Sequence, residues 1–164
     1  MKKKPALALP IATGIAIIFL LYVLSYNPDQ PPFPISSEGM VKVNVKMNGN
    51  GLQFSSECFA VTMNIHEVQA LSIKNGIDNR IDVRPLTHDI MKEIFTNFDI
   101  KVVEVRIDSF ENEIYNAKMF IRQGNKLLEL DSRPSDAIGM AVRTGVPVIF
   151  SRQLLESKGV NTCR

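Results

Sequence analysis

The chain has 164 residues, 45% of them hydrophobic and 22% charged, which suits one folded domain with an appendage and excludes a disordered chain. Residues 40–164 carry 16 basic and 15 acidic side chains. This balance excludes the strongly basic surface that holds duplex DNA by neutralising phosphates, so any nucleic acid is expected to be held weakly, at a few arginines.

Residues 1–26 read as a membrane anchor. Lys2, Lys3 and Lys4 precede an uncharged run whose heart is Ile11 to Leu24, with Tyr22 and Tyr26 at its far end. About 20 apolar residues span a bilayer core, and aromatic residues gather at its interfaces. A cleaved signal peptide competes, but Val23-Leu24-Ser25-Tyr26 is a poor cleavage site. The lysines predict a single-pass membrane protein with its N-terminus in the cytoplasm and its domain outside. Residues 27–39 form a linker stiffened by Pro28, Pro31, Pro32 and Pro34.

The folded domain is expected over residues 40–159, followed by a tail at 160–164. Val41, Val43, Val45 and Met47 alternate with polar residues, as in a half-buried strand. Asn48-Gly49-Asn50-Gly51 predicts a hairpin. Leu52 to Phe54 begins the return, and Phe59, Val61 and Met63 continue the alternation. Residues 64–76 read as a helix with Glu67 in its first turns and Gly76 at its end. Thr87 is expected to cap a second helix, with Ile90, Met91, Ile94, Phe95 and Phe98 on one face.

A meander follows. Val103, Val105 and Ile107 alternate, Glu111-Asn112-Glu113 turns, Tyr115, Ala117, Met119 and Ile121 alternate, Gly124-Asn125 turns again, and Leu128 and Leu130 close it. A helix from Pro134 ends at Gly145. Pro147 places the next strand at a sheet edge or places itself at the strand start. Ser151 is expected to cap a last helix through Lys158. The fold class is α+β: a largely antiparallel or mixed sheet with helices packed on it, preceded by one transmembrane helix. Exposed sheet edges make a homo-oligomer an expectation. Cys58 and Cys163 lack a Cys-x-x-Cys spacing, which speaks against zinc or dithiol chemistry. Two free thiols are the favoured reading, with a disulfide the alternative outside the cytoplasm.

Two corners repeat one design: Arg84-Pro85 before Thr87-His88-Asp89, and Arg133-Pro134 before Ser135-Asp136. Each sets an arginine, a hydroxyl and an acid at a helix start, where backbone N–H groups favour anions. Arg84 and Arg133 offer planar forks for phosphate, with Ser135 and Thr87 beside them. Asp89, Asp131 and Asp136 are hard oxygen ligands suited to a divalent cation, magnesium or manganese. His88 titrates near neutrality and can move a proton. Should the corners meet, His88, Asp89, Asp131 and Asp136 form a candidate phosphodiester-cleaving site. The competing reading is structural: the acids answer helix dipoles, and Arg84 and Arg133 pair with Asp136 and Asp89.

Arg84-Pro85-Leu86-Thr87-His88-Asp89, then Asp131-Ser132-Arg133-Pro134-Ser135-Asp136-Ala137, then Arg143-Thr144-Gly145-Val146-Pro147-Val148 together resemble the bifunctional nuclease domain family. The resemblance runs from about Val41 to Lys158. It implies a compact α+β fold acting on DNA and RNA, with Arg84, Thr87, His88, Asp89, Asp131, Arg133, Ser135 and Asp136 at the family's motif positions. Glu67 and Ala70 match an earlier motif, and Glu67 is a supporting candidate. Thr62 and Asn64 depart from that motif, where the family has tryptophan and glycine. Two functions compete: a membrane-anchored, metal-assisted nuclease, or a non-catalytic anion-binding or assembly module on the same fold.

Overall fold

The computed structural model describes residues 9–25 and 35–163, and the chain divides into two compact units, residues 1–32 and 33–164. Among the described residues, the first unit holds one helix, α1 (Leu9–Ser25), of 17 residues. At 1.5 Å per residue it is about 25 Å long, short of a hydrocarbon core of about 30 Å. Among the described residues, no helix is long and apolar enough to cross a membrane. The expected transmembrane helix is thereby corrected: the apolar run is helical, but its described helical part is too short. The lysines at 2–4, Tyr26 and the four linker prolines lie outside the described residues.

The second unit is built on eight strands: β1 (Met40–Asn48), β2 (Gly51–Ser56), β3 (Phe59–Asn64), β4 (Lys101–Glu111), β5 (Ile114–Gln123), β6 (Lys126–Ser132), β7 (Val148–Ser151) and β8 (Val160–Asn161). Four helices interrupt them: α2 (Glu67–Ile77), α3 (Thr87–Asn97), α4 (Pro134–Thr144) and α5 (Arg152–Lys158). The strands form one sheet in the order β6-β5-β4-β7-β1-β2-β3-β8. Every pairing is antiparallel except that of β4 with β7. The sheet is therefore mixed, as the alternating patterns and turns predict. The tail contributes β8, which pairs with β3.

Three local expectations change. The alternation in β4 breaks at a register shift between Val102 and Glu104. The bulge turns Val102 inward with Val105 and Ile107, and leaves Val103 half-buried. Pro147 sits just ahead of β7, an interior strand, and its carbonyl accepts from the Val105 N–H. A missing N–H is harmless there, so the strand-start alternative holds and the edge alternative does not. Cys58 and Cys163 form a disulfide, not two free thiols. Pairing of β8 with β3 and the Thr162 N–H on the Cys58 carbonyl bring them together.

The core joins both halves of the sheet to α2 and α4. Leu52, Phe54, Ile73, Val105, Ile107, Ile138, Met140 and Phe150 are fully buried in it. The α4 helix is buried on most sides, as its apolar run predicts, and Gly145 ends it in the left-handed conformation at φ 71°. Ser151 caps α5 by accepting from the Leu154 N–H. The apolar face of α3 is only partly covered: Met91 and Phe95 pack on the core, while Ile90, Ile94 and Phe98 are exposed.

Candidate active site

The site forms where α2 and the starts of α3 and α4 converge. The predicted cap of α3 is displaced by one residue. Leu86, not Thr87, precedes the first turn of α3. Asp89, three residues on, accepts from the Leu86 N–H at 2.8 Å. A carboxylate at this position satisfies a donor that the helix leaves free. Arg133 takes the same place before α4, with Pro134 as its first helical residue. Ser135 then falls within the first turn and is buried, so it does not cap the helix.

His88 links the two corners. Its Nδ1 lies 2.9 Å from Ser72 Oγ on α2. Its Nε2 lies 3.7 Å from Asp136 Oδ1 on α4. Gly139 makes this approach feasible: a Cβ there would come within 2.8 Å of the imidazole. Arg133 holds Asp136 from above, Nε donating to Oδ2 at 2.6 Å and Nη2 to Oδ1 at 3.2 Å. Val68, Leu86 and Met91 join Ser72, His88, Arg133 and Asp136 in lining an open cavity of about 420 Å³.

Arg143 fastens the three helices beneath this cavity. Its Nε donates to Asp89 Oδ1 at 2.6 Å, its Nη1 to the Gly139 carbonyl at 2.9 Å and its Nη2 to the Ser72 carbonyl at 3.0 Å. Nη2 also reaches Ser72 Oγ at 3.3 Å. The Arg143 side chain is only 3% exposed. Burial and the Arg143 charge push the His88 pKa down, against the opposing pull of Asp136 and Asp89. The net effect favours the neutral imidazole. Burial raises Asp89, but the hydrogen bonds from Arg143 and the Leu86 N–H outweigh it and hold the carboxyl below its ordinary range.

Residues 52–162, more than half of the chain, match the bifunctional nuclease domain. The chain belongs to the bifunctional nuclease domain family. Bifunctional nuclease 2 of Oryza sativa subsp. japonica is 31% identical over 99 residues, covering 58% of this chain and 30% of that protein. Bifunctional nuclease 1 of Arabidopsis thaliana is 30% identical over 97 residues, covering 57% of this chain and 30% of that protein. An uncharacterized protein of Mycobacterium tuberculosis is 33% identical over 78 residues, covering 47% of this chain and 45% of that protein. The chain thus spans less than half the length of these relatives.

Within this bifunctional nuclease domain, the predicted residues divide into two groups. His88, Asp89, Arg133, Ser135 and Asp136 belong to the converged corners. Thr87 lines the same cavity. Arg84 is exposed on the bend before α3. Asp131 is exposed on β6. Glu67 lines a separate cavity with Met47, Asn50 and Lys74. Among the described residues, no group of three His, Cys, Asp or Glu side chains could hold a metal ion. The oxygens of Asp89 and Asp136 already accept from arginines and a backbone N–H. The expected trio of Asp89, Asp131 and Asp136 therefore does not fit one magnesium or manganese ion in this arrangement.

The structural alternative is right in kind and wrong in its partners. Asp136 pairs with Arg133 of its own corner, and Asp89 pairs with Arg143. Sequence reasoning missed Arg143 and Ser72 as site residues. Arg143 stood inside the third matching block, and an arginine near the end of an otherwise apolar helix was a usable signal. Ser72, in the middle of α2, carried none.

Proposed function

We propose that this domain hydrolyses phosphodiester bonds of DNA or RNA, with His88 as general base. The observation that carries the proposal is His88 held between Ser72 and Asp136 in a cavity rimmed by Arg133. Ser72 Oγ has two lone pairs, so it accepts from both Arg143 Nη2 and the His88 Nδ1–H. Nε2 then carries a lone pair and takes a proton from the attacking water. As water oxygen bonds to phosphorus, the bond to the leaving oxygen breaks, and solvent returns a proton to that oxygen. Asp136 stabilises the imidazolium that forms. Arg133 exchanges one of its bonds to Asp136 for a phosphate oxygen and answers the charge that builds there. Arg84, exposed at the other corner, meets a neighbouring phosphate.

The similarity to the plant bifunctional nucleases supports the reading. The Cys58–Cys163 bond supports a domain that works outside the cytoplasm, where disulfides persist. A second reading, an anion-binding or assembly module, draws on one observation: Arg133 and Asp136 already satisfy each other through two hydrogen bonds.

The test uses the full chain with single-stranded DNA and RNA, in EDTA, magnesium or manganese. His88→Asn and Asp136→Asn are run beside the parent, with thermal melts as a folding check. The proposal expects cleavage that falls by about 10²-fold or more in His88→Asn. Equal cleavage by parent and variants marks a contaminant. A folded parent that binds but never cleaves supports the second reading.

A further inference from the structure

A second cavity, of about 350 Å³, lies between the end of α2, the connection at residues 78–86, and the other side of α3. Its wall includes Asn75, Arg80, Ile81, Pro85, Lys92 and Asn97. Asn75 is fully buried. Its Oδ1 accepts from Arg80 Nε at 3.2 Å and Nη2 at 2.7 Å. Arginine has only donors, so these bonds fix which end of the amide is oxygen. Among the described residues, the Asn75 amide nitrogen has no hydrogen-bond partner. A buried donor left unsatisfied is destabilising, a burden that an ordinary core residue would not carry.

The backbone builds this arrangement on purpose-made geometry. The α2 helix ends with Asn79 in the left-handed conformation, φ 49°. The Arg80 N–H then bonds the Asn75 carbonyl at 2.8 Å and the Asn79 N–H bonds the Gly76 carbonyl at 3.3 Å. This reversal folds the exposed Arg80 back over Asn75. Because Arg80 is exposed, its side chain can swing away from Asn75 Oδ1 and leave the Asn75 side chain free to turn its amide toward the cavity.

We propose that this cavity takes one nucleobase of a single-stranded substrate, with the Asn75 amide donating to a ring acceptor. The choice of substrate rests on the nuclease reading above. Every base carries an acceptor on its edge, and apolar atoms of Ile81 and Pro85 suit the flat faces of a ring. The spacing supports it: Pro85 and Asp89 line this cavity, while Leu86, Thr87 and His88 line the other. The first turn of α3 thus separates a base pocket from a phosphate site, with Arg84 on the bend leading into it.

Calorimetric titration of the full chain with nucleoside monophosphate, nucleoside and inorganic phosphate tests the pocket, using the parent and Asn75→Asp. Aspartate still accepts from Arg80 but has no amide donor, so the variant is expected to keep its fold, and a thermal melt checks this. Nucleotide and nucleoside should both bind the parent and weaken at least about tenfold in Asn75→Asp, the factor that 1.4 kcal/mol represents. Equal binding to parent and variant, no binding of nucleoside, or inorganic phosphate binding as well as nucleotide overturns the proposal. The two readings fail separately. Nucleoside binding without any cleavage sinks the nuclease and keeps the pocket. Cleavage with no nucleoside binding sinks only the pocket.

Discussion

Arg143 shows how one side chain converts three helices into a site. Its bonds to Asp89, Gly139 and Ser72 place each helix relative to the others. Removing one partner of a buried ion pair leaves an uncompensated charge and costs about 3–5 kcal/mol. Arg143→Ala is therefore expected to lower unfolding stability by about that amount, read from urea denaturation midpoints. Arg143→Lys keeps the charge but loses the fork, so it should fall between parent and Ala.

His88 makes a pH prediction at the same scale. Its pKa in the folded protein lies below the ordinary 6.5. The unfolded chain binds the proton more readily, so stability is fully present above about pH 6.5 and is lost as pH falls through the folded value. Relative to His88→Asn, the parent should lose stability as pH drops below 6.5, measured by melts across that range. The acid limb of cleavage should also lie below pH 6.5, since the general base stays unprotonated to lower pH. A limb at or above 6.5 would remove His88 from that role.

Among the elements, the α2–α4 contact shows what pattern reasoning could not resolve. Gly76 looks like a helix terminator in the sequence, yet it lies inside α2. A Cβ there would sit 2.5 Å from Val142 Cγ2 and 2.9 Å from Arg143 Nη1. The glycine serves the close approach of two helices, and Asn79 provides the stop instead. Gly76→Ala should force the helices apart and destabilise the fold by about 1–3 kcal/mol, with cleavage falling because Ser72 and His88 separate. An alanine variant as stable as the parent would show that the contact is slack. Similar logic explains β4, where a bulge between Val102 and Glu104 turns Val102 inward in place of Val103 while Val105 and Ile107 keep the predicted parity. Local alternation carries no signal for a one-residue insertion set by a partner strand.

For the whole molecule, the disulfide closes the fold between residues 105 positions apart in the sequence. Cross-linking so long a loop restricts the unfolded chain, and such bonds contribute about 2–5 kcal/mol. Reductant should lower the melting temperature, and thiol titration should find free cysteine only after reduction. Unchanged melting on full reduction would assign the bond no role in stability. The disulfide was legible only as an alternative, because spacing along a chain says nothing about whether β8 returns to β3.

The amino-acid sequence by itself determined the mixed α+β sheet, its hairpins and the two arginine-proline corners, because periodicity, turn residues and proline act over a few neighbouring positions. It also carried the blocks that mark the family. Only the tertiary structure decided that the corners meet through His88, that Arg143 rather than Arg84 or Arg133 neutralises Asp89, and that Asp131 stands apart. Those outcomes depend on contacts between distant segments, and burial, pairing and pKa arise from such contacts rather than from any local pattern.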